Sequence, residues 1–196
     1  RLPDSLLTNL PTAFPMMITV EPPSTQGLSF AGAATVEIHT HNLEYTDTTP
    51  LRLFKAPLGG TFEDITETMG AGSYRARGSV GGFSQFLILL DTRLITDVID
   101  TKFTRLENYL SAQSSNIDAA LLTQLNNEIS NADSDYLAND FTAAAKHMED
   151  FISLVEGADS TDLPNVWRSS RDIENVQGTL KALAATLRFS LRLATH

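Results

Sequence analysis

The sequence contains no cysteine among its 196 residues. This absence excludes a disulfide framework, a thiolate zinc site, an iron–sulfur cluster and a catalytic thiol. Long apolar segments are missing as well. The longest run of large apolar side chains is Phe86–Leu90, far shorter than the roughly 20 residues that cross a bilayer. We therefore expect no membrane insertion.

Positive charge is scarce. The chain has 14 Lys and Arg against 24 Asp and Glu, which gives a net charge of −10. Nucleic-acid binding depends on clustered basic side chains that displace counterions from phosphates, so we expect no nucleic-acid partner. The first residue is Arg1, and no leader with a charged and then an apolar region follows it. We expect a processed precursor or a piece of a longer chain.

Proline and glycine are almost absent from the second half. Seven of the eight prolines and nine of the 11 glycines lie in residues 1–92. Both residue types mark turns and are unfavourable inside helices. The distribution therefore predicts two domains and an α+β fold class. We expect an N-terminal antiparallel β-sandwich over residues 1–92, followed by a C-terminal α-helical bundle over residues 93–196.

Short runs in the first half alternate apolar and polar side chains. In the run Thr35–His39, for example, Val36 and Ile38 share one face. Such runs recur about every ten residues between turn-forming residues, which is typical of an antiparallel sandwich. The last run, Ser84–Leu90, is apolar almost throughout, so we expect a central strand or one covered on both faces.

The second half changes to a helical period and predicts four amphipathic helices. The third helix is predicted to end at Gly157 as a C-cap, and the fourth to begin at Ser169–Asp172 as a capping box. The apolar stripes of the four helices run over Ile95–Leu110, Ile117–Ile129, Phe141–Val155 and Ile173–Leu187.

Part of the helical half matches the pattern of a known module. A Leu-rich segment, Ala119–Leu125, precedes an Ala-rich one, Asn139–Val155, which ends in Phe-Ile-x-x-Val, and a last Ala/Leu-rich helix follows. In this order, residues 116–187 resemble the FIMAH-type helical module of secreted bacterial multidomain proteins. The resemblance implies a packing unit of a larger secreted protein and carries no chemistry.

The N-terminal half resembles another extracellular module. Its segments follow the order of ZU5-like β-sandwich modules of bacterial extracellular proteins: Gly27–Val36, Leu51–Phe54, Phe62–Thr66 and Gly81–Phe86. Some relatives of that group cleave themselves at a His-Phe-Ser sequence in the last strand. Here Gly82 stands where that His would be, before Phe83 and Ser84. The resemblance therefore implies a fold and an extracellular setting but no autoproteolysis.

His39 and His41 form the closest histidine pair, and strand alternation places both on one face beside Glu37. Two imidazoles and a carboxylate are ligands for zinc or copper. Alternation alone also places polar side chains on a solvent face, and we favour that interpretation. His147 is expected to face solvent on the third helix. No metal ligand is assigned.

No catalytic residue, cofactor-binding residue or cofactor is assigned, because no motif for either is present. We expect a non-catalytic structural or interaction module of a secreted or cell-surface protein. It would belong to a larger assembly, through a protein partner or self-assembly. One alternative is a carbohydrate- or ligand-binding module that uses the sandwich loops, with Tyr45 or Tyr74 exposed. Another is a metalloenzyme centred on His39 and His41.

Two apolar segments raise the question of what covers them. Residues 1–15 combine three prolines with five large apolar side chains, which predicts an extended segment lying against the helical half or a neighbouring chain. In Leu187–Leu193, Phe189 and Leu193 lie away from the main apolar stripe. We expect a neighbouring chain to cover at least one of these segments.

Overall fold

A computed structural model describes residues 10–70 and 73–195, and these form a mixed α+β fold. Antiparallel strands come first and four α-helices follow, as the sequence predicts. The strands are β1 (Met17–Thr19), β2 (Ser29–Ala31), β3 (Ala34–Thr40), β4 (Leu51–Ala56), β5 (Glu63–Asp64), β6 (Thr68–Gly70), β7 (Tyr74–Val80), β8 (Gln85–Leu90) and β9 (Val166–Arg168). The helices are α1 (Ile95–Ala112), α2 (Ala119–Leu137), α3 (Phe141–Gly157) and α4 (Val176–Leu193).

The strands form three antiparallel sheets. The largest has the order β1-β8-β4-β5, the second β3-β7-β6, and the third pairs β2 with β9. One buried apolar cluster combines side chains of the two larger sheets, among them Ile38, Leu53, Tyr74 and Ile88. Strand β8 lies between β1 and β4 and its four middle residues are buried. The predicted central position of this strand is confirmed.

The helical stripes predicted from the sequence supply most of the buried faces of the helices. The prediction for Ile173 is wrong, because Ile173 lies before α4 and is 39% exposed. In α1 the buried side chains include Ile99, Phe103, Leu106 and Leu110, at helical spacing. They join a single apolar cluster with buried side chains of α2, α3 and α4. Burial of this stripe on each helix is the main reason for the helices to pack together.

The two predicted helix ends differ from the structure. Helix α4 begins at Val176, and its N-cap is Asn175, whose side chain accepts a hydrogen bond from the Gly178 backbone N–H at 2.9 Å. The predicted capping box at Ser169–Asp172 is therefore wrong, because Asn175 binds the orphan N–H group. Gly157 is the last residue of α3, and the cap that follows it is Ala158 in an extended conformation.

Several contacts cross the predicted boundary between residues 92 and 93. Strand β9 lies in the helical half of the sequence and pairs with β2, so that Phe30 is opposite Trp167. Helix α4 packs against β7, and Lys102 of α1 reaches Asp64 of β5. The division into two domains stays a prediction. Separating the sheet region from the helices would break these contacts.

No helix among the described residues is long and apolar enough to cross a membrane. Residues 1–9, the first part of the apolar N-terminal segment, lie outside the described residues. The rest of the segment packs on the chain itself: Leu10 contacts the cluster around Phe54, and Phe14 contacts the cluster between the two larger sheets.

Candidate functional site

Strand β1 exposes apolar side chains at an edge of the largest sheet. Met16 and Met17 are 52% and 54% exposed, and Ile18 and Val20 are exposed as well. The strand pairs with β8 on one side only, and no other strand of the described residues pairs with its outer edge. Edge strands with apolar side chains are templates for pairing with another chain. This edge is the most apolar exposed segment that the structure describes.

The predicted histidine pair is brought together, but its carboxylate is not available. The rings of His39 and His41 lie 5.1 Å apart, both exposed on β3 and just after it. His39 Nε2 contacts the Ser73 hydroxyl. Glu37 accepts two hydrogen bonds from Arg77, at 3.1 and 2.8 Å, and these bonds lower the pKa of the Glu37 carboxyl. The carboxylate that could complete a metal site is therefore held by an arginine.

A buried ion pair joins the helices to the sheet. Lys102 Nζ on α1 lies 2.5 Å from Asp64 Oδ2 on β5, and both side chains are only 3% exposed. Nζ also donates to the Thr186 hydroxyl at 2.7 Å, the Thr186 carbonyl at 3.1 Å and the Ser190 hydroxyl at 2.8 Å. Thr66 donates to the other carboxylate oxygen through its N–H and its hydroxyl. Every polar atom of the pair therefore has a partner.

The pKa values of Asp64 and Lys102 are both shifted, by burial and by the charge of the partner. Burial alone would raise the pKa of Asp64, but the Lys102 ammonium and the hydrogen bonds from Thr66 bring it below its usual value. Burial lowers the pKa of Lys102, and the Asp64 carboxylate opposes that change. Each partner therefore stabilises the charged form of the other.

The predicted stripe of α1 does not include Lys102, although the sequence contains a signal for this residue. Ile99, Lys102 and Leu106 follow each other at three- and four-residue steps on the buried face of α1. A lysine in that position must find a buried acceptor. The sequence does not identify its acceptor, because only the packing of α1 on the sheet brings Asp64 to it.

The first turn of α4 fits closely against two glycine turns of the sheet region. Asn175 Nδ2 donates to the carbonyl oxygens of Gly32 and Gly81, at 2.7 and 3.0 Å. A Cβ on Gly178 would lie 2.6 Å from the Gly32 oxygen, and one on Gly81 would lie 2.3 Å from the Thr179 hydroxyl. Glycine is therefore required at both positions by close packing.

Trp167 packs in an aromatic cluster with the sheet region. Its ring stacks on Phe30 at 5.2 Å and meets the edge of Phe83 at 5.4 Å. A Cβ on Gly82 would lie 2.5 Å from the indole nitrogen of Trp167, so no larger side chain fits there without movement. The buried Ser84 hydroxyl donates to the Phe83 carbonyl at 2.6 Å.

His147 was expected to face solvent, but it lies half-buried between α2 and α3. Its Nδ1 is 2.7 Å from Glu128 Oε2, and its Nε2 is 3.4 Å from Asp135 Oδ2. With Asp150, the residues Glu128 and His147 place one ligand atom each within 4.8 Å of the others. Among the described residues, this group comes nearest to a set of metal ligands. Lys146 also pairs with Asp150.

The two tyrosines considered for ligand binding have different surroundings. Tyr74 is fully buried, so it presents no exposed aromatic face. The expectation for Tyr74 was wrong because alternation along β7 turns it into the core. Tyr45 is partly exposed and lines an open cavity of about 710 Å³ with Asp47, Thr48 and Arg52.

A family model described as "Family of unknown function (DUF6689)" matches residues 1–195, so the chain belongs to this family. A comparison with curated proteins found no match.

Proposed function

We propose that this DUF6689 chain is a non-catalytic structural or interaction module that assembles with a second copy of itself through the outer edge of β1. The setting we propose is a secreted or cell-surface bacterial protein, in line with the two module resemblances. The proposal includes the finer architecture predicted from the sequence, a β-sandwich followed by a helical bundle. The exposed apolar edge of β1 is the observation that carries it.

The side chains of β1 make the edge unfavourable in water. Four apolar residues in β1 and next to it are exposed: Met16, Met17, Ile18 and Val20. Each Å² of apolar surface removed from water contributes about 25 cal/mol. A partner strand that covers this surface would therefore gain free energy from side chains as well as from backbone hydrogen bonds.

The backbone of β1 has donors and acceptors that point away from the sheet. Val20 N–H donates to the Ser84 carbonyl at 3.0 Å, and Ile18 stands opposite Phe86 in the same register. In an antiparallel ladder the groups of alternate residues face the neighbouring strand. The N–H and C=O groups of Met17 and Thr19 therefore face the outer edge, where a further strand could pair.

Charge does not oppose a second copy at this edge, unlike on the rest of the surface. The chain carries a net charge of −10, so most of its surface repels another copy. Residues 10–20 contain no charged side chain at all. Two β1 strands related by a twofold axis can therefore pair without placing like charges opposite each other. Pro15 and Pro22 flank the strand and limit the length of such pairing.

Sedimentation equilibrium over a range of concentrations tests this proposal. We expect a concentration-dependent dimer for the wild-type chain. Met17→Lys should abolish it by placing a charge in the edge, and Thr19→Pro should abolish it by removing an outward N–H while leaving the pairing with β8. Leu137→Lys is the matched control, because Leu137 is even more exposed but lies on α2. A monomeric wild type, or a dimer unaffected by both edge variants, would refute the proposal.

The Tyr45 cavity supports a second candidate function, the binding of a carbohydrate or another ligand. A partly exposed tyrosine beside Asp47, Thr48 and Arg52 combines an aromatic face with hydrogen-bonding groups. Titration with a panel of neutral oligosaccharides, followed by tyrosine fluorescence, tests this candidate. Binding that is lost in Tyr45→Ala supports it, and the absence of binding across the panel removes it.

A further inference from the structure

Two adjoining cavities lie where the largest sheet meets α1 and α4. One has a volume of about 180 Å³ and the other of about 210 Å³, and both have Lys55, Gly81 and Thr179 in their walls. The first cavity has room for about six waters at ~30 Å³ each, which corresponds to a small organic molecule. Part of its wall is apolar, from Ile65 and Leu183.

The Lys55 ammonium has no hydrogen-bond or ion-pair partner in the part of the chain that the structure describes. It stands directly opposite Glu63 in the register of β4 and β5, where an ion pair would be expected. Glu63 instead pairs with Arg105 of α1. Among residues 10–70 and 73–195, no hydrogen bond or ion pair reaches the Lys55 ammonium. Burial lowers the pKa of Lys55, and the Glu63 carboxylate opposes that change only in part.

Lys55 is half-buried, and the fully buried Lys102 provides a comparison. The Lys102 ammonium binds Asp64, Thr186 and Ser190 through four short contacts. A buried cation normally has such acceptors, because an unpaired charge is costly away from water. Lys55 is half-buried in the cavity wall and has no such acceptor among the described residues, so an acceptor bound in the cavity would complete its surroundings.

The other polar groups of the walls already have partners. Ser84 donates to the Phe83 carbonyl, and Ser79 donates to Glu67 at 2.7 Å. The exposed Arg171 in the second cavity pairs with Glu21 at 2.5 Å. Glu63 and Glu174 are the carboxylates in the walls, and Glu174 accepts from the Tyr109 hydroxyl at 2.8 Å. Arg105 in the wall of the first cavity pairs with Glu63. Among the described residues, Lys55 is therefore the cation of the walls that has no ion pair.

We propose that the cavity beside Lys55 binds a small organic monocarboxylate, with its carboxylate on the Lys55 ammonium and its apolar part against Ile65 and Leu183. A single unpaired ammonium matches a single negative charge. A phosphate ester, with nearly two charges, would face Glu63 and Glu174 with only one free cation to balance it. A ligand without charge would leave the ammonium as it is.

Hexanoate is a suitable probe. Hexyl phosphate and hexan-1-ol are its controls, because they have the same six-carbon chain but a different charge. We expect hexanoate to bind in calorimetry and to shift the amide resonances of Gly81 and Thr179. Hexyl phosphate and hexan-1-ol should each bind at least tenfold more weakly. Lys55→Met should weaken hexanoate binding at least tenfold, because it removes the charge and keeps the chain length. Lys181→Met is the matched control, since Lys181 on α4 pairs with Glu156 and lines neither cavity.

A measurement on the wild-type chain covers the case in which Lys55→Met does not fold. An amine with a lowered pKa reacts faster with trinitrobenzenesulfonate than an ordinary lysine, and a bound carboxylate should slow this reaction. Mass spectrometry of the peptides then gives the labelling rate of each lysine. We expect hexanoate to protect Lys55 and not Lys181. Equal binding of hexan-1-ol, tighter binding of hexyl phosphate, or no protection of Lys55 would each overturn the proposal.

Discussion

Lys102 Nζ and Asp64 Oδ2 lie 2.5 Å apart in the interior, at the place where α1 and α4 meet the sheet. Around them, the hydroxyls of Thr66, Thr186 and Ser190 complete the hydrogen bonding. Removal of one partner would leave the other as an unpaired buried charge, which is far more costly than the loss of the attraction between them. The pair therefore couples the two halves of the fold more strongly than exposed ion pairs can.

Lys102→Met should destabilise the chain by about 3–5 kcal/mol, because it leaves the Asp64 carboxylate buried without a cation. Lys102→Met combined with Asp64→Asn should recover a large part of this loss, since no net charge then remains buried. Lys181→Met, which breaks the more exposed pair with Glu156, should change stability little. Urea unfolding gives the four free energies of unfolding. Equal values for Lys102→Met and Lys181→Met would contradict the prediction.

Stability should also fall in acid because of Asp64. The folded pKa of Asp64 lies below its unfolded value of about 3.9, so its contribution is complete above that pH and is lost as the pH falls through the folded pKa. The free energy of unfolding should decline from about pH 5 downwards. The decline should be shallower in the Lys102→Met and Asp64→Asn double variant. Parallel curves for the two proteins would show that other carboxyls determine acid unfolding.

A fragment of residues 93–196 should give strong helical circular dichroism. Its apolar cluster is built entirely from residues of the four helices and the loops between them, so each stripe keeps its partners. Lys102 would lose Asp64 and face solvent, so Lys102→Met should cost the fragment much less than it costs the whole chain. An unfolded fragment would mean that the helices need the sheet as a packing surface, and the predicted division at residue 92 would be wrong.

The peptide bond between Phe83 and Ser84 should stay intact on long incubation. Attack by a serine hydroxyl needs a base to accept its proton, and the Ser84 hydroxyl instead donates to the Phe83 carbonyl. Gly82→His should not restore cleavage, because a Cβ there would displace Trp167. It should lower the melting temperature more than Gly157→His does, since Gly157 has open space around its Cα. Two fragments in an intact-mass spectrum would overturn the prediction.

The purified protein should hold no stoichiometric zinc or copper at His39 and His41. Two imidazoles need further ligands, and Arg77 holds the nearest carboxylate, that of Glu37. Elemental analysis of the wild type, His39→Ala and His147→Ala tests this. About one metal ion per chain that disappears in His39→Ala would contradict it. Loss in His147→Ala alone would instead locate the metal between α2 and α3.

Repeating side-chain patterns predicted the fold class well. The alternation in β3 buries Ile38 and exposes Glu37, and the stripe of α1 is its buried face. In both cases one local period decides which side chains are covered. Strands β2 and β9 have only three residues each, too few for a period to show. Their pairing depends on the stacking of Trp167 on Phe30, which joins distant parts of the chain.

The candidate sites could be predicted less well, because each depends on pairs of residues that only the tertiary structure joins. The Lys55 ammonium lacks a partner among the described residues because Arg105 of α1 binds Glu63. His147 meets Glu128 because α2 and α3 pack side by side. The exposed strand β1 is visible in the sequence as Met16–Val20, but its position at a sheet edge follows from the strand order.

The side chain of Asn175 links α4 to the Gly32 carbonyl, which lies 143 residues earlier in the chain. Contacts between residues so far apart in sequence slow folding, because a long loop must close before they form. During synthesis the sheet region leaves the ribosome well before α4. The carbonyls of Gly32 and Gly81 therefore cannot accept from Asn175 until α4 has been made. We therefore expect α4 to join the fold last, as a slow phase in refolding kinetics.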